Sequence, residues 1–217
     1  MATVILDFGS ANTHKNNWNY LKRMIDELKA VDTGKHEVII KHQLFKEAGA
    51  NIPLDHDLFR RAYDYADLLG YRTTSSVFDE DSLDFLLQFD VPMVKIANRR
   101  DLDYLIGEVP RRIPVYVSFG NADTSYLEQI LYPGNIYSLL CVSQYPATME
   151  DYEETFNNLL RNTSEYKYGI SDHTTNFGLW YRYQPQIVEW HYVLEHDPGN
   201  LDGGSFARTP EQLREVL

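Results

Sequence analysis

A single α/β domain of (β/α)8, or TIM-barrel, architecture is the fold class this sequence predicts, on three observations. Short apolar runs alternate with amphipathic stretches from end to end, eight of each. Strict strand–helix alternation implies a parallel sheet, and eight strands can close that sheet into a barrel. The turn after the first run reads GSANTH rather than GxGxxG, which argues against the alternative of an open, doubly wound sheet. The 217 residues hold no linker, low-complexity tract or internal repeat, so residues 1–217 are expected to form one domain.

The elements follow in order. Strand 3–9 (TVILDFG) leads to helix 18–30, and strand 37–43 (EVIIKHQ) to helix 55–69, where Asp55 supplies an N-cap ahead of LFRRAYDYADLL. Strand 71–78 precedes helix 81–89, strand 92–98 precedes helix 101–109, and strand 113–120 precedes helix 125–131. Strand 136–145 leads to helix 149–162, strand 168–173 to a short helix 176–183, and strand 187–194 to helix 210–217. The last of these opens on Thr209-Pro210 with Glu211 and Gln212 behind, a helix-start pattern.

Composition narrows the function. The chain is 43% hydrophobic and 13% aromatic, enough for a globular core, and no apolar run approaches the roughly 20 residues that span a bilayer. MATVILDFGS has neither the basic nor the apolar region of a signal peptide, and Cys141 is the single cysteine, so a cytoplasmic protein is expected. A formal charge of −12 opposes nonspecific binding to nucleic acid or anionic membranes.

Polar residues gather at the ends of nearly all the strands: Asp7, Lys41 and Gln43, Ser75 and Ser76, Lys95 and Asn98, Ser118, Ser143 and Gln144, Ser171 to His173, then Glu189 and His191. In a barrel these positions converge on the mouth where active sites lie. Lys41 and Lys95 stand in the apolar strands VIIKHQ and PMVKIAN, where a lysine is rarely buried without a partner. A phosphate or carboxylate ligand would stabilise both charges; an internal ion pair to Asp7 or Glu189 would do the same. His173 and His191 end successive strands, so two imidazoles brought together there would form half of a metal site, although no HExxH or CxxC accompanies them. His14, His36, His42, His56 and His196 lack that placement and read as surface residues.

Several stretches together resemble the catalytic barrel of the N-acetylneuraminate (sialic acid) synthase family. YGISDHT (168–174) matches G-x-SDHT, and VEWHYVLEHDPGNLDGGSFARTPEQL is similar to E-K-H-F-T-L-D, then G-P-D-H, then a helix opening on P-E-L. CVSQYPATMEDY resembles C-V-S-N-Y-P-T-P, IIKHQLF resembles V-K-F-Q-T-F, and SSVFDEDSLDFL resembles S-T-P-F-D-x-x-S-V-D-F-L. VPMVKIAN resembles P-x-x-K-I-x-S, and LDFGSANTH loosely resembles A-E-I-G-x-N-H.

The resemblance implies a transferase that joins phosphoenolpyruvate to an aldose such as N-acetylmannosamine, with release of phosphate. It implies Mn²⁺ or Mg²⁺ on His173 and His191, polarising the acceptor aldehyde. Lys41, Lys95, Ser76, Ser118 and Ser171 correspond to the phosphoenolpyruvate site, with Gln43, Asn98 and Gln144 beside them. Glu189 and Asp202 correspond to positions that hold sugar hydroxyls, and Asp7 to a glutamate that manages water. The chain departs from the pattern at Arg100, where the family has glutamate, and that reversal points to a charged acceptor. Asn98 replaces serine, Gln144 asparagine, Asp7 glutamate, and Gly203 histidine. The antifreeze-like domain that follows the family's barrel is not in these 217 residues, so the partner is expected to be a second copy or a separate antifreeze-like protein. Two other readings stay open: a barrel that binds a phosphorylated ligand or a partner without catalysis, and a Schiff-base aldolase using Lys95 or Lys41.

Overall fold

A computed structural model describes residues 1–46, 49–120, 135–160 and 168–217. Eight parallel strands close into a barrel in sequence order. They are β1 (Thr3–Asp7), β2 (Glu37–Leu44), β3 (Arg72–Val77), β4 (Val94–Ile96), β5 (Val115–Phe119), β6 (Ile136–Cys141), β7 (Tyr168–Ser171) and β8 (Ile187–His191). β1 pairs with β2 on one side and β8 on the other, so no edge remains. The described helices are α1 (Trp18–Val31), α2 (His56–Leu68), α3 (Glu80–Leu86), α4 (Tyr104–Glu108), α5 (Met149–Leu160), α6 (Gly178–Tyr183) and α7 (Pro210–Leu213). The helix expected over 125–131 lies outside the described residues.

Each strand alternates between two cores. Val4, Leu6, Val38 and Ile40 face outward and pack against helices, joined by Leu21, Met24, Ile25, Leu28 and Val31 of α1. Ile5, Ile39, Met93, Leu139 and Ile187 face inward and plug the lower barrel. Two residues beyond Ile5, Ile39, Met93 and Ile187, the inward positions turn polar, at Asp7, Lys41, Lys95 and Glu189. Caps stop the helices where the sequence indicates: the side chains of Asn17, Asp55 and Asp79 accept from backbone amides, and Thr209 and Gln212 form a capping box.

Several elements are shorter than expected. Pro92 has no N–H for the ladder, so β4 begins at Val94 and Asn98 falls in the following loop. β6 ends at Cys141, leaving Ser143 and Gln144 in a loop, and β7 ends at Ser171, leaving His173 just beyond it. The expected helix over 101–109 splits into a 3₁₀ turn (Arg100–Leu102) and α4; Gly107 and the following Pro110 both oppose a longer helix. The final helix closes at Leu213, and the chain continues in tight turns whose amides return to the Leu213 carbonyl.

Candidate active site

The carboxyl ends of the strands surround a cavity of about 490 Å³. Parallel register builds it. Asp7 lies opposite both Lys41 and His191, Gln43 opposite Ser76, Ser76 opposite Lys95, and Ser171 opposite Glu189. Because side chains alternate along a strand, residues two apart share the lumen: Lys41 with Gln43, Ser171 with His173, Glu189 with His191.

The two lysines are equally buried but differently held. Lys41 Nζ sits 2.7 Å from Asp7 Oδ2 and 3.8 Å from Glu189 Oε2, and donates to Ser76 Oγ at 3.0 Å. Burial opposes its charge, yet the carboxylates of Asp7 and Glu189 outweigh burial and raise its pKa. The internal ion pair foreseen as an alternative to ligand binding is therefore present. Lys95 Nζ instead donates to Ser118 Oγ at 2.7 Å and to the Ile96 carbonyl at 2.9 Å, with Glu189 Oε1 only at 4.0 Å. There burial wins and the pKa falls.

The carboxylates follow the same logic. Burial would raise the Asp7 carboxyl, but the ammonium of Lys41, together with His191, holds it down at about 2. Gln43 Nε2 donates to Asp7 Oδ2 at 2.9 Å. Asp202 arrives from the loop after β8 and accepts from Ser10 N and Oγ at 3.0 and 2.9 Å. Gly9, at φ +73°, makes that approach possible, since a Cβ there would lie 2.6 Å from the Asp202 carboxyl. Glu189 Oε1 accepts from Ser171 Oγ at 3.0 Å, while its buried Oε2 has no hydrogen-bond donor.

His173 and His191 face each other across 5.5 Å between ring centroids. His173 Nδ1 lies 2.7 Å from the Val142 carbonyl, which fixes its proton there and leaves Nε2 as the lone pair facing the cavity. Burial, then His191, pushes its pKa down to about 3, so the ring stays neutral. His191 Nδ1 is buried without a hydrogen-bond partner, 3.7 Å from Asp7 Oδ2. No group of three or more His, Cys, Asp or Glu side chains among the described residues is arranged to hold a metal. Two imidazoles that line one cavity, His173 and His191, fit as half of a coordination sphere, the remainder being open to water or a ligand.

Thirteen of the residues singled out in the sequence line the cavity: Asp7, Lys41, Gln43, Ser76, Lys95, Asn98, Ser118, Ser143, Ser171, His173, Glu189, His191 and Asp202. Arg100 and Gln144 do not; both are exposed, and Arg99 takes the place on the wall, its guanidinium paired with Asp101. Asn51, Tyr145 and Leu201 also line the wall and were missed, because loop residues carry no periodic signal. Tyr145 stacks on His173 at 4.1 Å. His14 and His42, expected at the surface, are buried at 1% and 0% exposure, and their ring nitrogens make no hydrogen bonds. His42 lies between two inward residues on β2, so it faces outward against Phe8 and Phe59.

Fold and site thus define a (β/α)8 barrel with a buried, two-lysine, two-histidine mouth at the carboxyl ends of its strands. The chain belongs to the NeuB family, whose model matches residues 20–217. It is 30% identical over 168 residues to N,N'-diacetyllegionaminic acid synthase of Legionella pneumophila, covering 70% of this chain and 47% of that one. It is 28% identical over 198 residues to N-acetylneuraminate-9-phosphate synthase of Homo sapiens, covering 82% and 53%. The chain spans about half the length of these curated relatives. Among solved structures, the N-acetylneuraminic acid synthetase of Leptospira borgpetersenii superposes with a TM-score of 0.82 at 22% identity, over 98% of this chain and 80% of that one. A truncated 3-deoxy-D-arabino-heptulosonate 7-phosphate synthase of Thermotoga maritima gives 0.71 at 15% identity, over 99% and 83%. No helix among the described residues is long and apolar enough to cross a membrane.

Proposed function

We propose that this chain is the catalytic barrel of a phosphoenolpyruvate-condensing synthase that makes a nonulosonic acid from an aldose. The observation that carries this reading is the pairing, in one cavity, of a buried lysine–serine cluster with two imidazoles. Lys95 with Ser118 and Ser76, and Lys41 beyond them, would hold the phosphate and carboxylate of phosphoenolpyruvate. His173 and His191 would hold a divalent ion, Mn²⁺ or Mg²⁺, which supplies Lewis acidity at the acceptor's aldehyde.

In the reaction, C3 of phosphoenolpyruvate bonds to the aldehyde carbon. The oxygen of a water molecule bonds to C2, the bond from C2 to the bridging oxygen breaks, and phosphate leaves. One proton of that water ends on the former aldehyde oxygen, and the other leaves with the phosphate as the C2 hydroxyl becomes a carbonyl. Asp7, held ionised by Lys41, orients the water rather than removing its proton. Glu189 Oε2, a buried acceptor with no donor, is the better-placed oxygen to take and pass that proton. Asp202 and Gln43 would position acceptor hydroxyls.

Incubation with phosphoenolpyruvate, Mn²⁺ and a panel of neutral and anionic aldoses tests this reading through phosphate release. Release that depends on both metal and aldose is expected, and its absence with all aldoses would overturn catalysis in favour of ligand binding. A second reading has one observation behind it: burial lowers the Lys95 pKa, which favours the free amine a Schiff-base aldolase needs. Borohydride trapping with pyruvate separates the two, since a covalent adduct on Lys95 belongs only to the aldolase.

A further inference from the structure

Behind the cavity wall lies a second charged pair that the reaction does not use. Arg208 and Asp172 are both 0% exposed, and neither lines the cavity. Arg208 Nη2 donates to Asp172 Oδ2 at 3.1 Å and to the Asn176 carbonyl at 2.7 Å, and Nη1 donates to the carbonyls of Thr174 at 2.7 Å and Phe206 at 2.9 Å. The guanidinium also lies over Phe177 and Trp190, 5.0 and 5.8 Å from their ring centres. Asp172 is held in turn: its Oδ2 accepts from Trp190 Nε1 at 2.9 Å, and its Oδ1 from Thr174 N and Oγ1 at 2.8 and 2.7 Å.

The backbone completes the arrangement. Arg208 N donates to the His191 carbonyl at 2.7 Å, and Asp172 N donates to the Glu189 carbonyl at 2.9 Å. One residue therefore grips the chain on both sides of His173 with its side chain, and the end of β8 at His191 with its main chain. A buried ion pair is a poor source of stability, because desolvating two charges offsets their attraction, and well-packed apolar side chains of similar volume often serve as well. What the planar fork does provide is geometry: hydrogen bonds in fixed directions, which neither an apolar side chain nor a lysine reproduces.

We infer that Arg208 is a positioning residue that, through Asp172 and the His191 backbone, sets the separation and orientation of the His173 and His191 rings for a divalent cation. The inference rests on the proposed use of those imidazoles, so its test reads the clamp with and without metal. Arg208→Lys keeps the charge and loses the fork. In the metal-free variant, amide hydrogen exchange at residues 172–176 is expected to rise about tenfold or more, well beyond any rise at the other strand amides. Mn²⁺ titration should then show roughly a 10–100-fold loss of affinity, the scale of losing support behind a ligand. Trp190→Phe, which removes the indole donor to Asp172 together with part of a buried ring, should shift both readouts the same way by less, and serves if Arg208→Lys does not fold. Unchanged exchange at 172–176 would overturn the clamp, and so would raised exchange with wild-type Mn²⁺ affinity. A wild-type protein that ignores Mn²⁺ would instead overturn the metal reading, while the exchange data still decide the clamp.

Discussion

The two halves of the barrel mouth solve the problem of a buried lysine in opposite ways. Around Lys41, strands β1, β2 and β8 bring Asp7 to 2.7 Å and Glu189 to 3.8 Å, so the charge is neutralised within the protein. Around Lys95, strands β4 and β5 bring a carbonyl and one hydroxyl, and the nearest carboxylate oxygen, of Glu189, is 4.0 Å away. The first half is self-sufficient and the second is left in want of an anion. An arriving phosphate would be drawn to the Lys95 side, leaving the carboxylates and imidazoles on the other side for a hydroxyl-bearing acceptor and its metal.

The largest expected effect that could break this contrast is on stability. Lys41→Met would leave Asp7 buried without its counter-charge and should cost about 3–5 kcal/mol in urea unfolding. Lys95→Met removes a buried charge that has no close ion partner, and stability should stay within about 1 kcal/mol of wild type. Equal losses in the two variants would show that Lys95 is as fully paired as Lys41. Next in size is metal affinity: His191→Ala should weaken Mn²⁺ binding at least about a hundredfold by calorimetry, more than any change behind the ligands. An unaltered affinity would remove the imidazoles from the acceptor half.

Acid should find the imidazoles. Burial holds His14 at about 4 and both His42 and His173 at about 3, below the value near 6.5 of an unfolded chain. Between those limits the unfolded state binds more protons, so stability is full above pH 6.5 and falls as pH drops towards 4 and 3. Each such imidazole should cost about 2 kcal/mol at pH 5. His42→Phe should make the stability–pH curve shallower by one proton below pH 6, measured by urea unfolding at several pH values. The same slope in the variant would mean His42 protonates freely in the fold. The smallest effect concerns the rim: Arg99→Gln should shift the ratio of anionic to neutral acceptor turnover by a few-fold, about 1 kcal/mol, because Asp101 already balances the guanidinium. No shift would place the acceptor elsewhere on the wall.

Much of the mouth was legible in the sequence because strand periodicity carries it. Once Lys41 faces the lumen, Gln43 must join it, and the same rule pairs Ser171 with His173 and Glu189 with His191. The rule also had more to say than was read from it. His42 sits between Lys41 and Gln43 and therefore had to face the helices, and Asp172 sits between Ser171 and His173 and had to point away from the cavity. The residues that escaped lie where no period operates. Arg99 displaces Arg100 from the wall because β4 ends at Ile96 and the chain enters a 3₁₀ turn. Arg208 lies in no strand or helix, and its role emerges only from the backbone carbonyls that the fold brings around it.

The division of the mouth is tested most directly by titrating phosphoenolpyruvate calorimetrically into metal-free wild type, Lys95→Met and His191→Ala. Loss of one charge-assisted contact of about 1.5–3 kcal/mol should weaken binding roughly tenfold to a hundredfold in Lys95→Met. His191→Ala should bind phosphoenolpyruvate as wild type does. Wild-type affinity in Lys95→Met, or an equal loss in His191→Ala, would contradict an anion site built on the Lys95 half.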